Sequence, residues 1–432
     1  MAGDQFAERR TRLLRSMKAS GGAAVFAGAH EVLRNGDVHH DFRQSSTFHY
    51  LTGFDEPDAV AVLRPGHAKP FVLFVRPHDP AMEIWVGPRA GVEGARRDFG
   101  ADEAFPIEKL EEELPKLLIE ARSVFFSLGT DDRVQSIITA ALGRRRTAPN
   151  AIEEIVDPAP LVAEMRLLKT PPEIEALQRA IDVTGAGIEA AMRATKPGMH
   201  EYEVQAVLEG EYRRAGAMRL GFPSVVASGP NSCTLHYVAN TRRMGRSDLL
   251  LLDTGAEWDY YSADVSRTFP AGGDFTPQQR AVYDIVLEAQ AAGIEATRPG
   301  ATFVDVHNAA LKVVVQGLRR LKVLEGRVDA IIKSGAYRPY FMHGTSHWLG
   351  LDVHDAGPYR VGDASIELKA GMVLTVEPGI YIGPKASAPR ELRGIGVRIE
   401  DDVLVTRTGH RNLSERIPRD PATLAAMAGS GA

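Results

Sequence analysis

Runs of apolar residues in the first part of the chain predict strands and helices in alternation. Strand-like runs and helical spacings follow one another, and a proline interrupts one of the helical patterns. The strand-like runs are 23–26, 59–63 and 71–75, and the helical patterns are 107–120, interrupted at Pro115, and 134–142. Strands alternating with helices indicate a mixed sheet covered by helices. The chain is therefore predicted to begin with an α/β domain.

A helix start signal marks a domain boundary near residue 165. Thr170 suits the N-cap, Pro171 suits the first helical position, and Glu173 stands where a capping box requires it. The long helix that begins there is expected to end at 196–198, Lys-Pro-Gly. We predict an N-terminal domain over residues 1–165 and a C-terminal domain over residues 166–432.

A short internal repetition predicts that the C-terminal domain is duplicated. Residues 187–190 followed by Lys-Pro-Gly at 196–198 recur as residues 293–296 followed by Arg-Pro-Gly at 298–300. Each copy ends one helix and precedes another helical pattern, so two related helical halves around a strand layer are expected. The final residues, 427–432, are small and without periodicity, and we predict that they are disordered.

Composition and charge narrow the classes of function. The 432 residues are 44% hydrophobic and 25% charged, a balance typical of globular domains. A net charge of −5 gives no electrostatic reason to expect nucleic acid or an anionic membrane as a partner. No apolar run approaches the roughly 20 residues that span a bilayer. The one cysteine, Cys233, excludes an intramolecular disulfide and favours a reducing compartment, so a cytoplasmic location is predicted.

Two acidic residues stand at strand ends in the predicted C-terminal domain. The apolar run 249–252 predicts a buried strand with Asp253 at its exit. Asp264 follows eleven positions later, after residues 260–263 and directly before a second strand-like segment, 265–269. Neighbouring strands joined by a short loop would bring both carboxylates to one point.

Further polar candidates interrupt other strand-like segments. One Gly-punctuated, otherwise apolar stretch contains His343, His347 and His354. The β-rich run 371–376 ends on Glu377 and is closed by Pro-Gly, which is a turn signal.

Glu400 follows a strand with a period of two. Ile395, Val397 and Ile399 are apolar and alternate with polar or small positions, so Arg398 and Glu400 share one face. A single acid at a strand end is more often a cap or turn residue than a metal ligand. Five such residues in one third of the chain, each breaking an apolar segment, favour a metal centre.

Asp253, Asp264, His347, Glu377 and Glu400 together form an oxygen-rich set of four carboxylates and one imidazole. Without cations these carboxylates would repel one another, and their pKa values would rise. Two divalent ions about 3.5–4 Å apart remove that repulsion, activate a shared water and stabilise the oxyanion formed on attack. The set favours Mn²⁺, although imidazole also admits Zn²⁺, Co²⁺ or Fe²⁺. Metal-dependent hydrolysis is the chemistry predicted.

These segments resemble the pita-bread metallopeptidases, and within them the aminopeptidase P family. The likeness rests on the Asp253 and Asp264 pair, on the histidine segment 343–357, and on segments 376–379 and 397–401. Segments 231–237 and 43–54 resemble the family's upstream histidine segment and its N-terminal domain. The resemblance implies an α/β protein with an N-terminal creatinase-like mixed-sheet domain and a C-terminal pita-bread domain with pseudo-twofold duplicated halves.

The resemblance also assigns roles to the metal ligands. Asp253 would hold one ion, His347 and Glu377 would hold the other, and Asp264 and Glu400 would bridge the two.

Roles in catalysis and substrate binding follow from the same resemblance. His236 and His354 would stabilise charge at the scissile carbonyl, and Glu377 would also move a proton. His343 would line the pocket for proline, and Arg398 would orient a carboxylate ligand and contact the peptide beyond proline, or serve only as a buried counter-ion. Tyr381 is a further substrate-binding candidate that would either hydrogen-bond within the site or simply pack.

The activity that this family implies is removal of the N-terminal residue from peptides with proline in second position. A prolidase, which cuts only Xaa-Pro dipeptides, shares all five ligands and is the alternative. A non-catalytic pita-bread peptide-binding protein would lack ligands that this chain has. Trp85 and Asp37 resemble residues of this family that approach an active site from the same or a neighbouring subunit. The resemblance of the N-terminal domain to that of the family also implies a homodimer or homotetramer.

Overall fold

The structure, a computed structural model, describes residues 2–142 and 152–431, without the side chains of residues 2–4 and 20. Contacts between Cα atoms divide the chain into two compact units, Met1–Met165 and Arg166–Ala432. Among the described residues, no helix is both long enough and apolar enough to cross a bilayer.

The first unit is built on a mixed sheet. Its strands are β1 Ala23–Ala27, β2 Leu33–Asn35, β3 Val38–His39, β4 Val60–Leu63, β5 Phe71–Val75, β6 Glu103–Pro106, β7 Ser123–Phe125 and β8 Glu154–Val156. Its helices are α1 Ala2–Met17, α2 Ser46–Thr52, α3 Pro80–Val86, α4 Gly91–Arg97, α5 Leu110–Leu117, α6 Asp132–Leu142 and α7 Ala159–Leu167, which extends past the division between the units. Six strands form one sheet in the order β6-β5-β4-β1-β7-β8, and β2 pairs with β3 in a separate hairpin.

The core of this unit lies between the sheet and helices α5 and α6. Val62 and Phe74 of the sheet pack with Leu114 and Val134 of these helices in one buried cluster. The three predicted strands are confirmed. The predicted interruption at Pro115 is wrong, because α5 continues through it to Leu117. Pro115 removes only one backbone donor from this short helix, and the burial of the flanking leucines outweighs that loss.

The second unit contains longer helices and several small sheets. Its helices are α8 Pro171–Ala194, α9 Glu201–Arg214, α10 Pro277–Ala296, α11 Phe303–Arg320, α12 Val328–Ser334 and α13 Pro421–Met427. Its strands are β9 Arg219–Leu220, β10 Val225–Ser228, β11 Leu249–Thr254, β12 Ala256–Trp258, β13 Tyr261–Ser262, β14 Val265–Pro270, β15 Arg360–Val361, β16 Ala364–Ser365, β17 Val373–Val376, β18 Gly379–Ile382, β19 Ile395–Arg398, β20 Asp401–Val405 and β21 His410–Asn412. The sheets that carry the candidate ligands are β10-β11-β14, β17-β20-β21 and β18-β19.

Helix pairs repeat in this unit as the sequence predicts. The capping box of Thr170 and Glu173 opens α8, and a similar box at Thr276 opens α10. A short connection follows each of these helices and leads to a second helix: α8 packs against α9, and α10 packs against α11. Long amphipathic helices thus lie on both halves of the strand layer.

The predicted disorder of the last residues is wrong where the structure describes them. Helix α13 extends to Met427, and beyond it the N–H groups of Gly429 and Gly431 donate to carbonyls of Met192 and Arg193 at 3.1 Å and 2.9 Å. The carbonyls at the end of a helix have no partners within the helix. The C-terminal segment supplies hydrogen-bond partners for the last carbonyls of α8. This contact joins distant parts of the chain, and a run of small residues in the sequence does not predict it.

Candidate metal centre

Antiparallel pairing of β11 with β14 brings the first two acids together. Asp253 is opposite Ser266 in the register of this pair. Asp264 immediately precedes β14, and its backbone N–H donates to Asp402 Oδ2 at 3.2 Å. Both carboxylates therefore stand at the same end of the sheet, as the sequence predicts.

Backbone hydrogen bonds beside β17 place His347 and Glu377. The N–H of Thr375 donates to the carbonyl of His347 at 3.0 Å, and the N–H of Glu377 donates to that of Thr345 at 2.8 Å. This ladder sets His347 Nε2 at 3.6 Å from Glu377 Oε1 and at 3.3 Å from Asp264 Oδ2. The imidazole thus contacts two of the acids.

Glu400 joins the same point from the turn between β19 and β20. Its N–H donates to the carbonyl of Ser266 at 3.1 Å, and the Ser266 hydroxyl donates to Glu400 Oε2 at 2.8 Å. One ligand atom from each of Asp264, His347 and Glu400 lies within 4.8 Å of the others. These three ligand atoms are close enough together to hold one cation.

The electrostatics of the acids fit a bound cation. Burial raises the pKa of Asp264 and of Glu400 well above the ordinary values, and neighbouring carboxylates raise both further. Burial likewise raises the pKa of Glu377 to about 7, against the opposing effect of His347. Asp253 Oδ1 and Asp264 Oδ1 are buried without a hydrogen-bond partner among the described residues. Buried, unpaired carboxylate oxygens are costly unless an ion binds them.

Arg398 is a buried partner of one candidate ligand. Its Nη2 donates to Asp253 Oδ2 at 2.5 Å, its Nε donates to the Ser266 hydroxyl at 2.8 Å, and its Nη1 donates to the Tyr381 hydroxyl at 2.9 Å. The guanidinium therefore fixes the orientation of Asp253 and leaves the second oxygen of that carboxylate free for a cation.

Tyr381 links Arg398 to His343. Burial lowers the pKa of His343 to about 4, so its imidazole is neutral at pH 7. Its Nδ1 lies 2.7 Å from the Gly344 carbonyl and its Nε2 lies 2.8 Å from the Tyr381 hydroxyl. The proton is therefore assigned to Nδ1, and Tyr381 donates to Nε2. Tyr381 itself is 1% exposed and is not one of the residues that line the cavity described next.

A cavity of about 620 Å³ lies against the candidate ligands. The cavity is lined by the five candidate ligands and also by His236, His343, His354 and Arg398. The rings of His347 and His354 meet edge to face, with centroids 4.3 Å apart. Burial lowers the pKa of His354, and the nearby His347 and His236 lower it further, which favours a neutral imidazole. The volume is typical of pockets for small ligands or short peptides.

Several groups around the cavity are absent from the sequence prediction. Ser266 bonds both Glu400 and Arg398, and Asp402 accepts from the Asp264 backbone. The signal for both was the period of two, because Ser266 follows Asp264 and Asp402 follows Glu400 by two positions. The apolar part of the wall comes from Phe222, Pro223, Val225, Leu235, Val238 and Val353. These side chains are ordinary core residues in sequence, and only the fold brings them to the cavity.

Comparison with known proteins places this geometry in a family. The family model for metallopeptidase family M24 matches residues 175–407, and that for the aminopeptidase P N-terminal domain matches residues 6–125. The chain is similar to the Xaa-Pro aminopeptidase of Escherichia coli (strain K12), with 41% identity over 98% of this chain and 97% of that protein. The chain belongs to the aminopeptidase P group of metallopeptidase family M24.

Solved structures of aminopeptidase P agree with this assignment. The aminopeptidase PepP of Pseudomonas aeruginosa superposes with a TM-score of 0.96 at 41% identity, covering 100% of this chain and 98% of that one. The aminopeptidase P from E. coli with the inhibitor Pro-Leu gives a TM-score of 0.95 at 40% identity, covering 99% and 98%. The two-domain α/β fold and the family predicted from the sequence are thereby confirmed. As a family M24 member the chain is a metal-dependent peptidase.

The two N-terminal candidates are both on exposed positions of the first unit. Trp85 lies on α3 and is 82% exposed, and Asp37 lies between β2 and β3. Their approach to an active site remains a prediction.

Proposed function

We propose that this aminopeptidase P family member removes the N-terminal residue from peptides whose second residue is proline. The observation that carries the proposal is the convergence of Asp253, Asp264, His347, Glu377 and Glu400 on one cavity in a chain that matches Xaa-Pro aminopeptidases over nearly its whole length. The proposal includes two divalent ions on these five residues, with Asp264 and Glu400 between them.

Manganese is the ion that we propose for this centre. Four carboxylates and one imidazole are hard donors that suit Mn²⁺, and no thiolate is present to favour a zinc site of the structural type. Divalent ions held there would supply an activated water and polarise the scissile carbonyl. The side chains that surround the ions then determine orientation and proton movement.

We assign stabilisation of the reacting carbonyl to two histidines at the cavity wall. His236 and His354 both line the cavity, and the lowered pKa of His354 keeps it neutral, with one N–H to donate. Such donors aimed at a developing oxyanion lower the barrier to amide hydrolysis. Glu377, with a pKa raised to about 7 by burial, suits transfer of a proton from the attacking water to the leaving proline nitrogen.

The substrate side is assigned to His343 and Arg398. His343 is locked as a neutral ring by the Gly344 carbonyl and the Tyr381 hydroxyl, so it offers a flat, uncharged surface to a proline ring. Arg398 lines the cavity while paired to Asp253, which supports a role as orienting cation for that ligand. We assign Tyr381 to holding both of these side chains.

The inhibitor of the E. coli relative favours an aminopeptidase over a prolidase. That enzyme was solved with Pro-Leu. Removing the first residue of an Xaa-Pro-Leu peptide leaves Pro-Leu, whereas cleavage of an Xaa-Pro dipeptide leaves free proline. A dipeptide that begins with proline therefore resembles the product of the aminopeptidase reaction, and we extend this preference to the present chain.

Paired assays test the proposal. Purified protein is stripped with a chelator, reloaded with Mn²⁺ and given an Xaa-Pro dipeptide or the matching Xaa-Pro-Leu tripeptide. Loss of activity on stripping, recovery on reloading and turnover of the tripeptide are expected. Turnover of the dipeptide alone would favour a prolidase, and full activity without metal would overturn the proposal.

We further propose a cytoplasmic homo-oligomer. Apolar side chains of the first unit are exposed on α3, where Ile84 is 83% and Trp85 is 82% exposed, and on the β2-β3 hairpin, where Leu33 is 57% exposed. Exposed apolar patches of this kind commonly mark protein interfaces. Light scattering should give a dimer or tetramer for the wild type and a smaller species for Trp85→Glu. A monomeric wild type would contradict the proposal.

A further inference from the structure

A loop between β10 and β11 supplies one wall of the cavity, and it carries His236. Leu235, His236 and Val238 all line the cavity from this loop. Among the described residues, the His236 side chain forms no hydrogen bond, and the residue is exposed. The position of this imidazole is therefore set by the path of the loop backbone.

Glu201, the first residue of α9, holds that loop from beneath. Its side chain is 0% exposed. Oε1 accepts from the backbone N–H and the hydroxyl of Ser228, both at 2.7 Å, and from the Asn231 amide at 3.1 Å. Oε2 accepts from the Tyr237 hydroxyl and from the Arg242 backbone N–H, both at 2.8 Å. One buried carboxylate thus ties Ser228, at the end of β10, to Asn231, Tyr237 and Arg242 of the loop.

We call this set of hydrogen bonds around Glu201 the clasp, and its donors require a carboxylate at this position. Five donor groups make six hydrogen bonds to the two oxygens, since the Asn231 amide also donates to Oε2 at 3.5 Å, and every donor is a neutral N–H or O–H group. The N-terminus of α9 adds a favourable dipole for negative charge. An amide in place of the carboxylate would aim an NH₂ group at donors, so at least one pair would face donor to donor.

Tyr237 connects the clasp to the catalytic side chain. It directly follows His236, its ring packs against the Val225, Ala227 and Leu251 cluster, and its hydroxyl reaches Glu201. Because Tyr237 directly follows His236, fixing the Tyr237 side chain also fixes the backbone from which the His236 side chain enters the cavity.

We propose that Glu201 is a positioning residue that holds His236 in place for the reaction. The inference rests on the proposed function for its kinetic consequence, whereas the loop closure is independent of it. The proposal predicts that Glu201→Gln lowers kcat by about tenfold or more and changes KM less. Each tenfold corresponds to about 1.4 kcal/mol, and the substitution removes more than one buried hydrogen bond.

A double-mutant cycle tests the coupling. Kinetics of the Mn²⁺-loaded protein are measured for Glu201→Gln, His236→Ala and the double variant, with Glu211→Gln as the control. Glu211 lies on the same helix and pairs with Arg214 of that helix, so its variant should keep wild-type kinetics. Glu201→Gln should cost almost nothing further once His236 is absent. Wild-type kinetics in Glu201→Gln, or additive losses in the double variant, would overturn the proposal.

Two further measurements keep the outcome unambiguous. Hydrogen exchange of residues 229–242 should accelerate in Glu201→Gln with unchanged metal content, and this readout needs no peptide substrate. Faster exchange in a protein that hydrolyses no peptide would contradict the proposed function and leave the clasp intact. If Glu201→Gln fails to fold, Tyr237→Phe serves in its place. This variant keeps the ring and removes only the hydroxyl that donates to Glu201 and accepts from the Thr241 N–H, and wild-type kinetics there would overturn the proposal.

Discussion

Two adjacent acids, Glu400 and Asp401, are similarly buried, but their pKa values are shifted in opposite directions. Burial and the neighbouring Asp264 carboxylate raise the pKa of Glu400. Burial alone would also raise the pKa of Asp401, but Arg267 and Arg419 outweigh it, and the pKa of Asp401 is held below its ordinary value. Glu400, in the turn before β20, lines the cavity, whereas Asp401, the first residue of β20, does not.

The partners of Asp401 show what a satisfied buried acid looks like in this protein. Arg267 Nη2 donates to it at 2.7 Å and Ser414 donates at 2.8 Å, while Gln290 and Asn412 donate at 2.8 Å and 2.7 Å, and Arg419 also contacts it. The acids of the cavity have instead one imidazole, one guanidinium and free oxygens. The chain thus provides cationic side chains for its structural acid, whereas the cavity acids include carboxylate oxygens without a hydrogen-bond partner among the described residues.

The largest expected effect comes from removing one of the two acids that we propose as shared metal ligands. Asp264→Ala or Glu400→Ala should lower kcat/KM by on the order of 10³-fold or more, because each variant loses a ligand shared by the proposed ions. Folding should change little, since neither residue fills the core. Steady-state kinetics, metal content and circular dichroism check this. Substantial peptidase turnover in either variant would contradict the bridging assignment.

The opposite pattern is expected for the structural acid. Asp401→Asn leaves the fully buried Arg267 guanidinium without its carboxylate, and breaking a buried ion pair from one side costs about 3–5 kcal/mol. Urea denaturation should show this loss of unfolding free energy with the metal-free protein. A variant as stable as the wild type would show that the comparison between the two acids is wrong.

Local patterns were enough to predict the elements that carry the ligands. Apolar runs located β11 and β14 on either side of the Asp253 and Asp264 pair, and the capping box located the start of α8. These features depend on residues within a few positions of one another, where spacing alone carries the physics.

Contacts between distant parts of the chain were beyond such patterns. In the sequence, Glu201 is an ordinary acid in the first turn of a helix. For Arg398 the sequence leaves two roles open, an orienting and substrate-binding residue or a buried counter-ion. Only the fold shows that Arg398 is paired with Asp253, 145 positions away. Burial decides these cases, because a charge must find a partner when it leaves water, and the sequence does not say which one.

A smaller, metal-dependent effect sharpens the comparison of the acids. In the metal-free protein Glu400→Gln should raise the unfolding free energy by on the order of 1 kcal/mol, because it removes one of several crowded charges. With Mn²⁺ present the wild type gains the binding free energy, about 2.7 kcal/mol at 100 times Kd, and the order should reverse. Thermal unfolding with chelator and with Mn²⁺ measures both. The same order in both conditions would indicate that Glu400 does not hold an ion.

The smallest effect is expected where acids surround a cation at the surface. In the first unit His30 contacts Asp58 at 2.5 Å and Asp131 at 3.0 Å, and these contacts, led by the hydrogen bond to Asp58, raise its pKa. A raised pKa in the folded state adds stability that is full below about pH 6.5, the ordinary histidine value, and is lost as the pH rises through the folded pKa.

Because the His30 ring is 58% exposed, this contribution should stay below about 1 kcal/mol. His30→Asn should therefore accelerate hydrogen exchange of β1 and β4 slightly at low pH and not at high pH. His67→Asn is the matched control, since its Nε2 lies 3.9 Å from Glu120 and contacts no second acid among the described residues. A difference that grows as the pH rises would mean that His30 is held as a neutral ring, in the manner of the cavity histidines.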